Sequence, residues 1–414
     1  MAEIILSPIK EMEIRTAKVS NSVSLAQGVA DFDTPECIKK GAIEHINQGD
    51  VAKYSLSPGI VELREAIEID LNKREIYYDF ENEIIVTAGA IEAISATLLT
   101  ILSPGDEVVI PDPTYTSYQE AIKNAGGVPS FMALSEEDEW SFDEKKMEKK
   151  ITTKTRAILF CNPNNPTGTI YRSDQLLRIL EIAEKNNLYI LVDEVYRDFI
   201  YDNQEFYSIG KFSKFRKRII YIFSFSKSYS MTGWRVGFLA TDKSLAQKIL
   251  ARHDVLVTCA PVVSQWGALA ALEMAEEDKL YFKNTFKDRR DLICSHLDNL
   301  KEWFNYQKPS SSYFVFPNFS KKLIQALNRE KEIKKYNFQD HQKDSLSWQL
   351  ALDLLYEAKV AVVPGQAFGK TGENHVRMCF GRSDGDILKA MLRIESYLNK
   401  KYKQGLFIKS KVYF

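Results

Sequence analysis

The chain has 414 residues, 45% of them apolar and 27% charged, with 55 basic side chains against 56 acidic ones. That length suggests two or three structural units with ample core, and the composition excludes wholesale disorder. A formal net charge of -1 gives no electrostatic reason to expect a nucleic acid or an anionic membrane as partner.

The start of the chain, 1–15, carries Glu3, Glu11 and Glu13 around the short run Ile4-Ile5-Leu6, the pattern of neither a secretory signal nor an acid-poor transit peptide. Residues 1–13 read as an N-terminal arm and 14–48 as the N-terminal part of a small domain. From 49 to 285 short apolar runs alternate with helical patterns, the signature of a large α/β domain. Strands are predicted there at 84–87, 107–110, 156–161, 188–192, 218–223 and 235–240, with a helix from Ala90 to about Leu102. Leu176, Leu177, Leu180 and Ala183 share one helical face between the third and fourth strands.

After about Val255 longer helices take over, and strands at 313–316, 361–363 and 376–380 belong to a smaller unit at 286–400. The segment 321–347 is highly charged and weakly periodic and reads as a surface excursion. Residues 401–414 read as a basic, solvated tail, because Lys400, Lys401, Lys403, Lys409 and Lys411 follow one another without an acid between them. The expected fold class is therefore α/β, a large domain plus a smaller α+β domain that the N-terminal residues join. No apolar run reaches the ~18 residues of a spanning helix. Cys37, Cys161, Cys259, Cys294 and Cys379 are scattered and never spaced CxxC, and the five histidines are dispersed. Both point to reduced thiols in a cytoplasmic protein without a metal site.

The polar residues of interest follow the strand ends, where α/β sheets place their ligands. Gly89 follows the first strand and Tyr115 the second; Asn165 lies in the loop after the third. The fourth is followed by Asp193 and Tyr196, the fifth by Ser224-Phe225-Ser226-Lys227, with Arg235 eight residues on. Neither a GxGxxG fingerprint nor a GxxxxGK[ST] phosphate loop is present. Lys227 comes after a strand with Ile219, Ile220, Ile222 and Phe223, so its stem enters a partly desolvated pocket, which lowers an amine's pKa and suits Schiff-base chemistry. Asp193 could hold a pyridinium nitrogen protonated, as pyridoxal phosphate requires. Arg235, the Ser224 hydroxyl and the N–H groups of a helix starting near Ala90 could hold a phosphate.

In this order, Asn165-Pro166-Thr167-Gly168, Asp193-x-x-Tyr196, Ser224-x-Ser226-Lys227 and Gly233-Trp234-Arg235 resemble a class I/II aminotransferase, a fold-type I pyridoxal-phosphate enzyme of the aspartate aminotransferase superfamily. Gln27-Gly28 with Asp31-Phe32-Asp33-Thr34-Pro35, Tyr54 with Gly59-Ile60-Val61-Glu62-Leu63-Arg64, and Pro364-Gly365-Gln366-Ala367-Phe368-Gly369 followed by Arg377 extend the resemblance almost end to end. The resemblance implies a large cofactor-binding domain, with a mostly parallel central sheet sandwiched by helices, and a small domain built from both chain ends. It implies Lys227 as the Schiff-base lysine and proton shuttle, Asp193 as partner of the pyridine nitrogen, and Tyr196 and Asn165 on the phenolic oxygen. Tyr115 takes the ring-stacking position, and Ser224, Arg235 and the Gly89-Ala90-Ile91 turn hold the phosphate. The resemblance further implies that Arg377, with Gly28 and Asn165, binds the α-carboxylate of the substrate, and that Tyr54 reaches the neighbouring active site of a homodimer. Tyr118 could contact the site or pack the core.

The implied reaction is reversible ping-pong transfer of an amino group from an L-amino acid to a 2-oxo acid. A C–S lyase, another elimination enzyme or a cyclopropane-carboxylate-synthase-like enzyme would share Lys227, Asp193 and Arg377, so the motifs leave that alternative open. Some relatives specific for dicarboxylic acids carry a lysine at the position of Ile91, and others an arginine within 257–262, where this chain has Thr258-Cys259-Ala260-Pro261. An acidic substrate side chain without a cation would be buried unpaired at high cost, so a neutral, apolar or aromatic donor is expected.

Overall fold

The computed structural model describes residues 7–330, 342 and 344–403. The chain enters through helix α1 (Pro8–Ala17), where Ser7 accepts a hydrogen bond from the Lys10 amide and Pro8 fills the first turn. The boundary expected between 13 and 14 falls inside this helix, whose turns are tied by the Arg15–Glu11 pair at 2.8 Å. Strand β1 (Val23–Ser24) and helices α2 (Glu36–Gln48) and α3 (Val61–Lys73) follow.

The large sheet begins with β2 (Ile84–Thr87), α4 (Ala90–Ile101), β3 (Glu107–Asp112), α5 (Ser117–Asn124) and β4 (Val128–Ala133). It continues through α6 (Glu144–Glu148), β5 (Thr155–Cys161), α7 (Ser173–Lys185), β6 (Tyr189–Asp193), β7 (Ile219–Ser224), α8 (Phe225–Ser228) and β8 (Gly237–Ala240). These seven strands lie in the order β2-β8-β7-β6-β5-β3-β4. Only β8 runs antiparallel to its neighbours. Both faces are covered, so every residue of β7 is buried and its sequence is a nearly unbroken apolar run. β4, which the sequence reading passed over, is an edge strand; Pro129 interrupts its pattern and is tolerated because an edge needs fewer ladder bonds.

Helix α9 (Lys243–Val257) packs against α4 and β2, and α10 (Val262–Met274) against α2 and α3. The smaller domain combines α11 (Glu276–Asp298), which packs on its last helix, with short strands β9 (Phe304–Asn305), β10 (Phe314–Val315) and β11 (Asn318–Phe319). Then come α12 (Lys321–Glu330), α13 (Leu346–Asp353), β12 (Val360–Ala361), β13 (Val363–Pro364), β14 (Val376–Cys379) and α14 (Asp384–Leu398). β14 is the centre of an antiparallel β10-β14-β13 sheet, and β1 pairs in parallel with β12, Val23 opposite Val360. Both chain ends therefore build this domain.

Two expectations are corrected. The excursion at 321–347 is in part core structure, because Leu323 and Leu327, four apart on α12, are fully buried, and Ser345 caps α13. Its residues 331–341 and 343 lie outside the described residues. The basic tail is not solvated at its start: Lys401 pairs with Asp353 at 2.9 Å and Tyr402 is buried. From 404 onward the tail lies outside the described residues.

Candidate active site

Strand register puts the chemistry at one edge of the sheet. Cys161 ends β5 opposite Asp193 at the end of β6, and Asp193 in turn lies opposite Ile222 of β7, which ends two residues later at Ser224. A parallel sheet leaves the carboxyl ends of its strands free of ladder contacts, and here three of them open into one crevice. Asp193 is buried, and that burial pushes its carboxyl up to about 6. A hydrogen bond from Tyr118 Oη to Oδ2 (2.9 Å) and one from the Val195 amide to Oδ1 (3.2 Å) act in the opposite direction.

Lys227 sits on α8, directly after β7. Its amine is drawn down to about 8, first by burial and then by the nearby Arg377 and Arg235 charges, against the pull of Cys379 and Asp193. Nζ donates to the Gly28 carbonyl at 2.6 Å, and the same oxygen accepts from Tyr313 Oη at 3.0 Å. A Cβ on Gly28 would stand 3.1 Å from the Phe314 ring, close enough that the ring would have to give by a few tenths of an ångström. Tyr196, one turn after Asp193, is buried edge-on against Tyr313 and Phe314, with ring centroids 5.6 and 5.7 Å away.

Arg377 reaches the crevice from β14. It is 1% exposed, and burial holds its guanidinium below the ordinary arginine value. Nη1 donates to Asn165 Oδ1 (3.1 Å) and Nη2 to the Ala26 carbonyl (2.6 Å), while Nε is buried without a partner. Its flat face rests 4.3 Å from the centroid of Phe314 and 5.0 Å from that of Phe368. A buried guanidinium whose hydrogen-bond partners among the described residues are neutral acceptors, with Nε left unpaired, is a ready receptor for a carboxylate.

A second cationic corner lies at the start of α4. Gly89, at φ 83°, turns the chain from β2 into the helix, and Arg235 reaches back to the Ala88 carbonyl with Nη2 at 3.4 Å. A Cβ on Gly89 would lie 2.7 Å from that Nη2. The Ser224 and Ser226 hydroxyls meet at 2.8 Å.

A cavity of about 260 Å³ gathers Gly28, Ala90, Ile91, Tyr115, Asn165, Asp193, Tyr196, Ser224, Lys227, Arg235 and Arg377 from among the expected residues. Gly89 frames it without lining it. Tyr54 is 82% exposed and does not line it. The cavity also takes in Ser226 of the Ser224-x-Ser226-Lys227 motif and residues to which the sequence reading gave no site role: Cys161, Phe314, and, from α1, Ile9 and Glu13. Tyr118 lines it as well and packs edge-on against Tyr115 with centroids 5.4 Å apart. Trp234 does not touch the cavity; its Nε1 donates to Thr34 Oγ1 at 3.0 Å. No cluster of potential metal ligands occurs among the described residues.

The family model for aminotransferase class I and II matches residues 20–394. The chain is 32% identical to a putative aminotransferase, YugH, of Bacillus subtilis (strain 168), covering 95% of this chain and 96% of that protein. It is 34% identical to a probable aspartate/prephenate aminotransferase of Aquifex aeolicus (strain VF5), covering 94% of each. Among solved structures, an aromatic aminotransferase from Pyrococcus horikoshii OT3 superposes with a TM-score of 0.83 at 33% identity, over 94% of this chain and 99% of that one.

Proposed function

The chain belongs to the class I and II aminotransferases and is a pyridoxal-phosphate-dependent transaminase, and from that premise we propose that it moves an amino group reversibly between a neutral, apolar or aromatic L-amino acid and a 2-oxo acid. The observation that carries the reading is one cavity holding a buried amine with its pKa drawn down, a buried acid with its pKa pushed up, and a buried arginine with an unpaired Nε.

The residues fit pyridoxal phosphate. Among the described residues Asp193 has no cation within hydrogen-bond distance, which suits a protonated ring nitrogen, and Arg235 bonds only carbonyl oxygens, which suits a phosphate. Ser224, Ser226 and the N–H groups at Ala90 would complete that corner, Tyr115 would offer a ring face, and Asn165 and Tyr196 would hydrogen-bond the phenolic oxygen. When bound, the cofactor supplies an electron sink that acidifies the substrate Cα–H and stores the amino group between half-reactions. Arg377 grips the substrate α-carboxylate with its planar fork and fixes the Cα–H in position. Lys227 Nζ, neutral in much of its population near pH 8, takes that proton from Cα and delivers it back.

The donor preference rests on the wall chemistry. Ile91, Ile94, Val29 and Phe314 line the cavity, and its cations, Lys227, Arg235 and Arg377, are all engaged by the cofactor or the α-carboxylate in this reading. Relatives carry names for aspartate, aromatic and aspartate/prephenate aminotransferases, so the wall and not the family argues for neutral donors. The reading includes a homodimer to which Tyr54 contributes from each partner, and a cytoplasmic setting suited to the unpaired cysteines. No described helix is long and apolar enough to cross a membrane.

The test is the visible spectrum of the protein loaded with pyridoxal phosphate, with single amino acids added and no acceptor. Conversion to the pyridoxamine-phosphate spectrum, fastest with leucine or phenylalanine, is expected. Faster conversion with aspartate overturns the donor preference. Release of ammonia and an oxo acid with the original spectrum retained overturns transfer in favour of elimination.

A further inference from the structure

Two residues of α1, Ile9 and Glu13, line the same cavity as Lys227 and Arg377. Their spacing of four sets them on one face of the helix. The helix is firmly seated. Met12 is fully buried, and Arg15 bonds both Glu11 (2.8 Å) and Tyr356 Oη (3.3 Å) of the small domain. Glu13 is thus held at the cavity by packed structure, over 200 residues from the lysine it shares that cavity with.

The Glu13 side chain is 20% exposed and pairs through Oε2 with Lys10 Nζ at 2.6 Å; the Lys10 side chain is 64% exposed and does not line the cavity. Oε1 takes no hydrogen bond among the described residues. With Arg377 on the α-carboxylate and Arg235 on the phosphate, the charged wall group left to meet a substrate's own side chain is the Glu13 carboxylate. A carboxylate entering there meets like charge before it meets Lys10, which stands on the solvent side. A side chain ending in a hydrogen-bond donor finds an open acceptor.

We propose that Glu13 is a specificity-determining residue that excludes amino donors with acidic side chains and admits neutral ones, above all those tipped with a hydrogen-bond donor. This rests on the neutral-donor reading and names the residue that enforces it.

Glu13→Gln keeps the shape and removes the charge. In the holoenzyme, the ratio of kcat/KM for L-aspartate to that for L-leucine is expected to rise about tenfold, with leucine itself moving less than about threefold. By calorimetry, succinate, a dicarboxylate that occupies both ends of the site, is expected to bind the variant about tenfold tighter, with 4-methylvalerate unchanged. Glu13→Lys raises the ratio further, and Lys10→Met, which strips Glu13 of its counter-charge, lowers it. An unmoved ratio and unmoved succinate affinity in both Glu13 variants overturn the proposal. So does loss of aspartate turnover in Lys10→Met without any effect of Glu13→Gln, since that outcome makes Lys10 the acid-binding group. A wild-type preference for aspartate overturns the neutral-donor reading, and the Glu13→Gln ratio then still decides the role of Glu13.

Discussion

At Asp193 two opposing effects set the charge on which, in the proposed reading, cofactor binding depends. Burial pushes the carboxyl up to about 6, and the hydrogen bonds from Tyr118 and Val195 hold it from rising further. Removing the Tyr118 hydroxyl leaves burial less opposed, so Tyr118→Phe moves the carboxyl up again. An acid with a raised pKa is protonated at a pH where an ordinary aspartate is charged, and its charged fraction recovers as pH rises. Tyr118→Phe is therefore expected to weaken pyridoxal phosphate binding by the apoprotein about tenfold at pH 6 and by less at pH 8. A Kd titrated at both pH values checks this, and an equal loss at each would reduce Tyr118 to a packing residue. Sequence alone left Tyr118 undecided between contact and core, because it lies in the first turn of α5, just after the loop that carries Tyr115, and local pattern does not say which way that turn faces. Only the depth of β6 beneath that helix shows which one meets Asp193.

Among elements, the strand–turn–helix units were the most legible, and β2–Gly89–α4 is the most constrained of them. Gly89 adopts φ 83° and ψ 169°, a conformation open to glycine almost alone. Arg235, at φ 55°, is itself in the left-handed region and reaches across to the same turn. Gly89→Ala places a Cβ 2.7 Å from Arg235 Nη2 and strains the turn, at a cost of roughly 1–3 kcal/mol in stability. The guanidinium must also move off the corner proposed to hold the phosphate, so a loss of more than about tenfold in cofactor affinity is expected as well. Gly233→Ala, next to the same arginine, meets nothing within 4 Å and should alter neither quantity. Thermal unfolding and cofactor titration of the two variants side by side provide the check. The elements that escaped the sequence reading did so for local reasons. β4 carries a proline on an edge strand, and α12 hides Leu323 and Leu327 among lysines and other polar side chains.

At the scale of the whole molecule, the exposed apolar surface calls for a partner. Tyr54 is 82% exposed, Leu56 66% and Val255 81%, and the Ser57 Oγ to Asp254 Oδ1 bond at 2.8 Å holds the segments bearing them together. Large apolar side chains gathered in this way are costly to leave in water, and the two-fold dimer proposed above, with each Tyr54 serving the other subunit's site, would cover them. Two crippled variants test this by complementation. Tyr54→Ala keeps its own lysine and Lys227→Ala keeps its own Tyr54, so a mixed dimer has one site with both groups intact. Random reassociation of equal amounts is expected to restore activity to roughly a quarter of wild type, since half the dimers are mixed and one site in two is whole. No recovery above the two parents on mixing, with sedimentation showing a monomer, would remove Tyr54 from the site.

What the sequence determined by itself was the chemistry carried within single segments. An apolar strand followed by Asp193, another followed by Ser224-x-Ser226-Lys227, and a glycine between strand and helix each specify a group at a strand end, because a parallel sheet exposes those ends together. Arg377 was legible from the ordered motifs around it, though its bond to Asn165 spans 212 positions. The tertiary structure alone decided which helix faces meet the cavity. The segment reads locally as an arm; that it is a helix buried at Met12, with Ile9 and Glu13 lining the cavity of Lys227 and Arg377, is not encoded in its own pattern. That depends on α1 coming to rest on the small domain through Arg15 and Tyr356, a contact between opposite ends of the chain that no local pattern encodes.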